Sequence, residues 1–297
     1  MKKFNKIIPI LFVLLLVSCE KENESTTGTI KQTESSYEQL TNQYLVSIQQ
    51  EDTFNSYSTR GFWGNLWKKV KKIVHKDANG GINGGISTGN LNGALWGAVG
   101  ASVVEIFKPL DQITVDEFTT GIGDLAILKE VAFSKNTFDL AGYNHYVVIN
   151  NILNKMSNFK VITDPEQQYI ALKDAIRKEL SILYPTQSFD SSIDIRILNQ
   201  TLELQEGESY TEGDAYYRRV FQLKDNISDL KFIEISQLYE RAYEATKEED
   251  LDAFIAYSTT IETQLMDDVD LASTMRDALL FKMATLRYGI KYYTLLP

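Results

Sequence analysis

Side chains able to do acid–base, nucleophilic or metal chemistry are few along this 297-residue chain and lie far apart. There are two histidines, His75 within a run of lysines and His145 between Asn144 and Tyr146, and one cysteine, Cys19. A nucleophile–histidine–acid relay or a histidine-rich metal site has little material to draw on. His145 is the histidine placed to act in the body of the chain, with Tyr143, Asn144 and Asn150 as polar neighbours. On a helix over 142–158 such a residue reads first as a packed core histidine. Acidic clusters occur at Glu248, Glu249, Asp250 and Asp252, and again at Asp267, Asp268 and Asp270. Neither has the alternating oxygen ligands and central glycine of a calcium loop, and both read as helix starts, where carboxylates favour the helix dipole. A carboxylate pair for glycoside cleavage would be distant in sequence, and no spacing marks one. Near the end, Lys282, Arg287, Tyr288, Lys291, Tyr292 and Tyr293 form a basic aromatic cluster. It either closes the helical body or offers stacking and hydrogen bonding to a protein or glycan partner. The sequence therefore reads as non-enzymatic, with no catalytic residue, no cofactor and no metal site.

Cys19 has a different context. Lys2, Lys3 and Lys6 precede an apolar stretch over 7–17, the layout of a secretory signal, and the stretch is too short to span a bilayer comfortably. It closes on Leu16, Val17, Ser18 and Cys19, which resembles a lipobox and is similar to the anchor of exported lipoproteins of Gram-negative bacteria. That resemblance implies cleavage before Cys19, diacylglycerol on its thiol, acylation with palmitate, and attachment to membrane lipid. Glu20, Lys21, Glu22, Asn23 and Glu24 follow, which is similar to the lysine-plus-acidic tag that sends some of these lipoproteins to the outer face of the outer membrane. The resemblance thus implies an outer-membrane, cell-surface location and no activity. A Ser/Thr/Gly linker completes residues 19–33. A single cysteine excludes an intramolecular disulfide, so an exported domain must be held by its core.

Charge is unevenly distributed. Removing residues 1–18 leaves 27 basic and 40 acidic residues, and the segment 109–297 alone holds 18 and 31. So acidic a body, with no nucleic-acid module motif, excludes DNA or RNA as a partner. The basic residues gather in 61–76, where Trp63, Leu66, Trp67, Val70, Ile73 and Val74 share one helical face and Lys68, Lys69, Lys71 and Lys72 occupy most of the other. This cationic amphipathic helix suits a bilayer interface and equally suits docking on the acidic body. Eight of the seventeen glycines then fall within 80–100, and Gly81, Gly85, Gly89, Gly93 and Gly97 recur every fourth residue. On a helix that spacing makes a packing ridge along which a second backbone approaches closely. Asn79, Asn83, Asn90 and Asn92 speak against a transmembrane span, and a Gly/Asn loop over 79–92 is the alternative. With its tryptophans, lysines and Gly-xxx-Gly ridge, 61–107 resembles the peptides of two-component bacteriocins, which implies membrane insertion.

These features need a scaffold. From Thr114 onward apolar residues recur at helical spacing and strand-like alternation is nearly absent, predicting helices over 122–132, 142–158, 165–184, 189–205, 210–224, 228–247, 251–266 and 270–295. Asp164-Pro165 is a helix start and Pro185 a stop. The expected fold is all-α, an antiparallel helical array preceded by a glycine-rich segment. The expected order is signal peptide 1–18, lipidated linker 19–33, an N-terminal helix over 34–60, the cationic helix and glycine ridge over 61–107, and an acidic helical domain over 108–297. The function expected is a membrane-anchored, surface-exposed binding or scaffold lipoprotein, with a membrane-active effector using 61–107 as the alternative.

Overall fold

The computed structural model describes residues 34–51, 62–107, 121–189, 218, 223–224 and 226–296, except the side chains of 50–51, 62–66, 86–87 and 104–107. The predicted signal and linker, and most of the helices predicted over 189–205 and 210–224, lie outside the described residues, as does Cys19. The described residues from Ser35 onward form one compact unit, so those on either side of the boundary expected at 107–108 belong to the same body. Among the described residues the fold is all-α. In chain order the helices are α1 (Ser36–Glu51), α2 (Phe62–Thr88), α3 (Leu91–Phe107), α4 (Asp139–Leu153), α5 (Met156–Lys160), α6 (Pro165–Leu183), α7 (Ile227–Ala245), α8 (Leu251–Met266) and α9 (Ser273–Thr294). Residues 125–131, predicted as α-helix, form a tighter 3-10 helix, Leu125–Val131, capped by Asp124.

Local chemistry sets the helix ends. Asp164 accepts a hydrogen bond from Gln167 N at 2.8 Å and Pro165 follows at the first helical position, so α6 starts where the sequence places it. Asn226 caps α7 in the same way, accepting from Asp229 N at 2.9 Å. The residues between α2 and α3 are a tight turn. Gly89 adopts φ +65°, a left-handed conformation that ends a helix readily only when glycine occupies it. Asn90 then accepts from Gly93 N at 3.0 Å and starts α3.

This turn corrects the single ridge read from the sequence. Gly81, Gly85, Gly89, Gly93 and Gly97 do not lie on one helix line, because the chain reverses at Gly89. The antiparallel register pairs Gly80 with Gly97 and Gly84 with Gly93, so a neighbouring row of α2 makes the closest approach. A Cβ added at Gly84 would lie 2.0 Å from Gly93 O, and one at Gly97 would lie 2.1 Å from Gly80 O. Backbone therefore packs on backbone, which only glycine permits. Gly81 and Gly85 sit beside this seam: a Cβ on Gly81 would strike the Phe281 ring, and one on Gly85 would meet only Ala94.

The glycine hairpin packs into the same body through the last helix, although it precedes most of the body in sequence. Helix α9 packs against α2, α4, α7 and α8, while α3 packs on α4 and α6. Val70, Val74, Ala78, Ile82, Leu95, Val99, Leu279, Met283, Leu286 and Ile290 are all buried in one core with α4 and α7 residues. Helix α1 is seated on α7 and α8 by tyrosines: Tyr44 stacks on Tyr257 with ring centroids 4.7 Å apart, and its hydroxyl is 2.8 Å from Thr246 Oγ1. Buried aromatic rings contribute both area and specific geometry at such a junction. No helix among the described residues is long and apolar enough to cross a membrane.

Candidate functional site

The residues singled out in 61–76 separate into two sets. Trp67 turns inward and donates its indole N–H to Thr246 O at 3.0 Å, so it is a core residue. Lys71 lies along α7 and donates to Glu244 O at 2.6 Å. Lys68, Lys69 and Lys72 remain on the exposed side of α2. Trp63 belongs to α2, with its side chain outside the described residues. The apolar stripe thus docks on the body, as amphipathic stripes in globular proteins do.

The candidate chemical residues are drawn into the core. His145 is fully buried, with Nε2 at 3.2 Å from Ser102 Oγ and 3.3 Å from Asp77 Oδ2. Serine, histidine and aspartate meet here, yet both partners approach the same ring nitrogen. A proton relay needs the acid on Nδ1 and the hydroxyl on Nε2. Tyr146 donates to the same Asp77 Oδ2 at 3.0 Å, which makes Asp77 the hub of a structural cluster. The neighbours expected around His145 go elsewhere: Asn144 donates to Tyr184 at 3.0 Å, and Asn150 accepts from Tyr292 at 3.0 Å. Asp77 and Ser102 escaped sequence analysis because they lie on α2 and α3, far from His145 along the chain.

Two further buried networks hold the cations of α9. Arg287 donates to Glu262 through Nε and Nη2, both at 3.1 Å, to Asp139 at 2.8 Å, and to Val131 O. Asn136 and Ser258 complete the shell of Glu262 at 2.6 and 2.9 Å. Burial alone would lower the pKa of Arg287, but Glu262 and Asp139 reverse this and hold it firmly charged. Lys282 reaches Glu240 at 2.6 Å, and His75 Nε2 lies 3.3 Å from the same oxygen. The basic aromatic cluster is therefore mostly interior, with Lys291 pairing with Glu130 at 2.9 Å nearer the surface.

Burial would push the Glu240 carboxyl up, but the charges of Lys282 and His75 hold it far below the usual carboxylate range. Its folded pKa is thus below the ordinary glutamate value, so its contribution to stability is complete above that value and is lost as pH falls. Urea midpoints should decline as pH drops from about 6 to about 3, and Glu240→Gln should flatten that decline. An unaltered slope in the variant would remove Glu240 as its source.

The acidic clusters serve similar ends. Asp250 accepts from Lys247 N at 3.0 Å at the entry to α8, as a helix start should. Asp267, Asp268 and Asp270 instead follow the end of α8, correcting the second expected helix start. Asp268 accepts from Tyr37 at 2.8 Å and Lys231 at 2.9 Å, tying α1 and α7 to that loop. Among the described residues no group of histidine, cysteine and carboxylates is arranged to hold a metal.

An open concavity occurs at the turn end of the hairpin. About 240 Å³ in volume, it lies between the second half of α2, the start of α3 and the first turns of α9. Gly85, Gly89 and Ala94 leave space by lacking bulk, while Phe138, Leu223, Met275 and Phe281, the last packed over Gly81, supply apolar walls. Among the described residues Thr274, Asn90 and Asp277 provide its polar atoms, and Asp277 is the one ionisable residue of the lining. A mostly apolar concavity with a few polar groups is the usual form of a small-molecule site. The sequence marks this place only indirectly, through the same glycines that were read as a packing ridge. Comparison with protein-family models, curated proteins and solved structures finds no match.

Proposed function

We propose that this chain is a lipid-anchored, surface-exposed bacterial binding protein, tethered through Cys19 and presenting the concavity at the α2–α3 turn. The observation that carries the binding reading is a contrast within one body. The charged groups that converge are neutralised inside the core, whereas the open concavity is mostly apolar, with the Asp277 carboxylate at its edge. Such a site recognises and holds a ligand through burial of apolar area. The anchor is carried by Leu16-Val17-Ser18-Cys19.

The anchor is tested by growing cells expressing the protein with an alkyne analogue of palmitate. The wild-type chain should take the label, pellet with membranes and be cut by protease added to intact cells, and Cys19→Ala should lose the label. A labelled Cys19→Ala protein would overturn the anchor, and protection from protease would overturn surface exposure.

The exposed Lys68, Lys69 and Lys72 favour a second reading, a membrane-active effector working through 61–107. It requires Trp67 and the hairpin glycines to leave their present partners. Dye release from anionic liposomes by the folded protein would support it over the binding reading.

A further inference from the structure

We propose that the concavity binds a compact organic cation, a single hydrophobic ring carrying a primary ammonium group. This rests on the binding reading above and specifies its ligand. Size comes first: a cavity of about 150 Å³ accommodates benzene. The concavity here, about 240 Å³, holds one such ring with a short arm. Shape agrees, because Gly85 and Gly89 line the turn end without side chains while the Phe281 ring packs directly over Gly81 and closes the floor toward α9. Phe138 and Phe281 add aromatic walls, and Met275 an adaptable thioether that contacts rings favourably.

Charge selects the head group. Among the described residues Asp277 is the one ionisable side chain lining the site, and no hydrogen bond or ion pair engages its carboxylate. The adjacent cation does not neutralise it by direct contact, since the Arg276 guanidinium donates to Asp268 O at 3.2 Å. Desolvation pushes the Asp277 carboxyl up, with Arg276 opposing this only through its field. Asp277 stands exposed at the rim, and a carboxylate there with no direct partner among the described residues is stabilised by an arriving ammonium group. Thr274 and Asn90 add hydroxyl and amide acceptors for its other protons. The excess of acidic over basic residues across 109–297 works in the same direction at longer range.

The test uses the full-length lipidated protein in lipid nanodiscs, titrated with 4-fluorobenzylamine, 4-fluorobenzyl alcohol and 4-fluorobenzoate and followed by fluorine NMR. Empty nanodiscs correct for partition into lipid. The amine should bind saturably, at least about five-fold tighter than the alcohol, and the benzoate should not bind; five-fold corresponds to about 1 kcal/mol. Asp277→Asn should bring the amine to the level of the alcohol. Ala278→Phe, which fills the site from α9, should abolish binding of both, and Thr274→Trp closes the rim should Ala278→Phe lower the unfolding midpoint. Saturable binding of the alcohol or benzoate at least equal to that of the amine, abolished by Ala278→Phe, would overturn the cationic assignment while leaving a binding protein. Saturable binding of none of the three, or amine binding indifferent to all three variants, would overturn the site itself. Neither result bears on the anchor, which the palmitate label tests independently.

Discussion

Gly97→Ala is expected to destabilise the protein by about 3 kcal/mol, the upper part of the range for overpacking a close-packed interior. The new methyl carbon would sit 2.1 Å from Gly80 O and 2.8 Å from Gly80 C, both backbone atoms of the facing helix. Rotamer changes cannot relieve such a clash, so the two helices must separate, and α2 is held on its other side by α9. Alanine's better helix propensity returns at most about 1 kcal/mol. Two other glycines calibrate the result. Gly85→Ala places its methyl 3.2 Å from Ala94 Cβ, where a shift of a few tenths of an ångström suffices, so it should be near neutral. Gly89→Ala meets nothing within 4 Å but must adopt φ +65°, so its cost of about 1 kcal/mol is backbone strain alone. Urea unfolding of the full-length variants should give the order Gly85→Ala, Gly89→Ala, Gly97→Ala from most to least stable. A Gly97→Ala protein as stable as Gly85→Ala would mean that the hairpin does not pack backbone to backbone.

The glycine segment also shows where sequence patterns suffice and where they fail. A four-residue spacing correctly indicates close helix packing, but it cannot say whether the partner is another molecule, a membrane helix or the next stretch of the same chain. That answer lies in Gly89-Asn90, a helix terminator followed by a helix initiator, whose meaning is hidden when glycine and asparagine recur throughout 79–93. Helix α6 is legible because Asp164, Pro165, Pro185 and apolar periodicity agree at its ends, and α8 because Asp250 and apolar periodicity agree at its start. Helix α9 was legible as a helix but not as the central one. Amphipathic periodicity identifies helices with one wet face, and α9 is buried around most of its circumference, with Lys282 and Arg287 both 0 % exposed. Within the run Leu279, Leu280, Phe281, Met283, Ala284, Leu286 and Ile290 there is no apolar-free side for these cations to occupy. That pattern required buried acidic partners, but nothing local identifies Glu240, Glu262 or Asp139 as those partners. The concavity was the least legible feature, because it is made by residues that are absent in bulk rather than present in pattern.

Arg287→Met follows from the same buried network and should have the largest effect of any single substitution considered, about 4 kcal/mol of destabilisation. The substitution nearly preserves length and apolar volume, so the loss is electrostatic. It leaves Glu262, wholly buried, facing Asn136 and Ser258 with no cation, and deprives Asp139 of a partner now 2.8 Å away. Arg287→Lys should recover only part of the loss, because an ammonium group cannot make the paired bonds to Glu262 while also reaching Asp139 and Val131 O. The decisive comparison is Glu262→Gln added to Arg287→Met. Neutralising the stranded carboxylate should restore at least about 1 kcal/mol, since the cost of the single variant is an unpaired buried charge rather than a missing attraction. If the double variant is less stable than Arg287→Met by the full cost of Glu262→Gln alone, the two residues act independently. The network around α9 would then have no energetic coupling for that pair, despite its geometry.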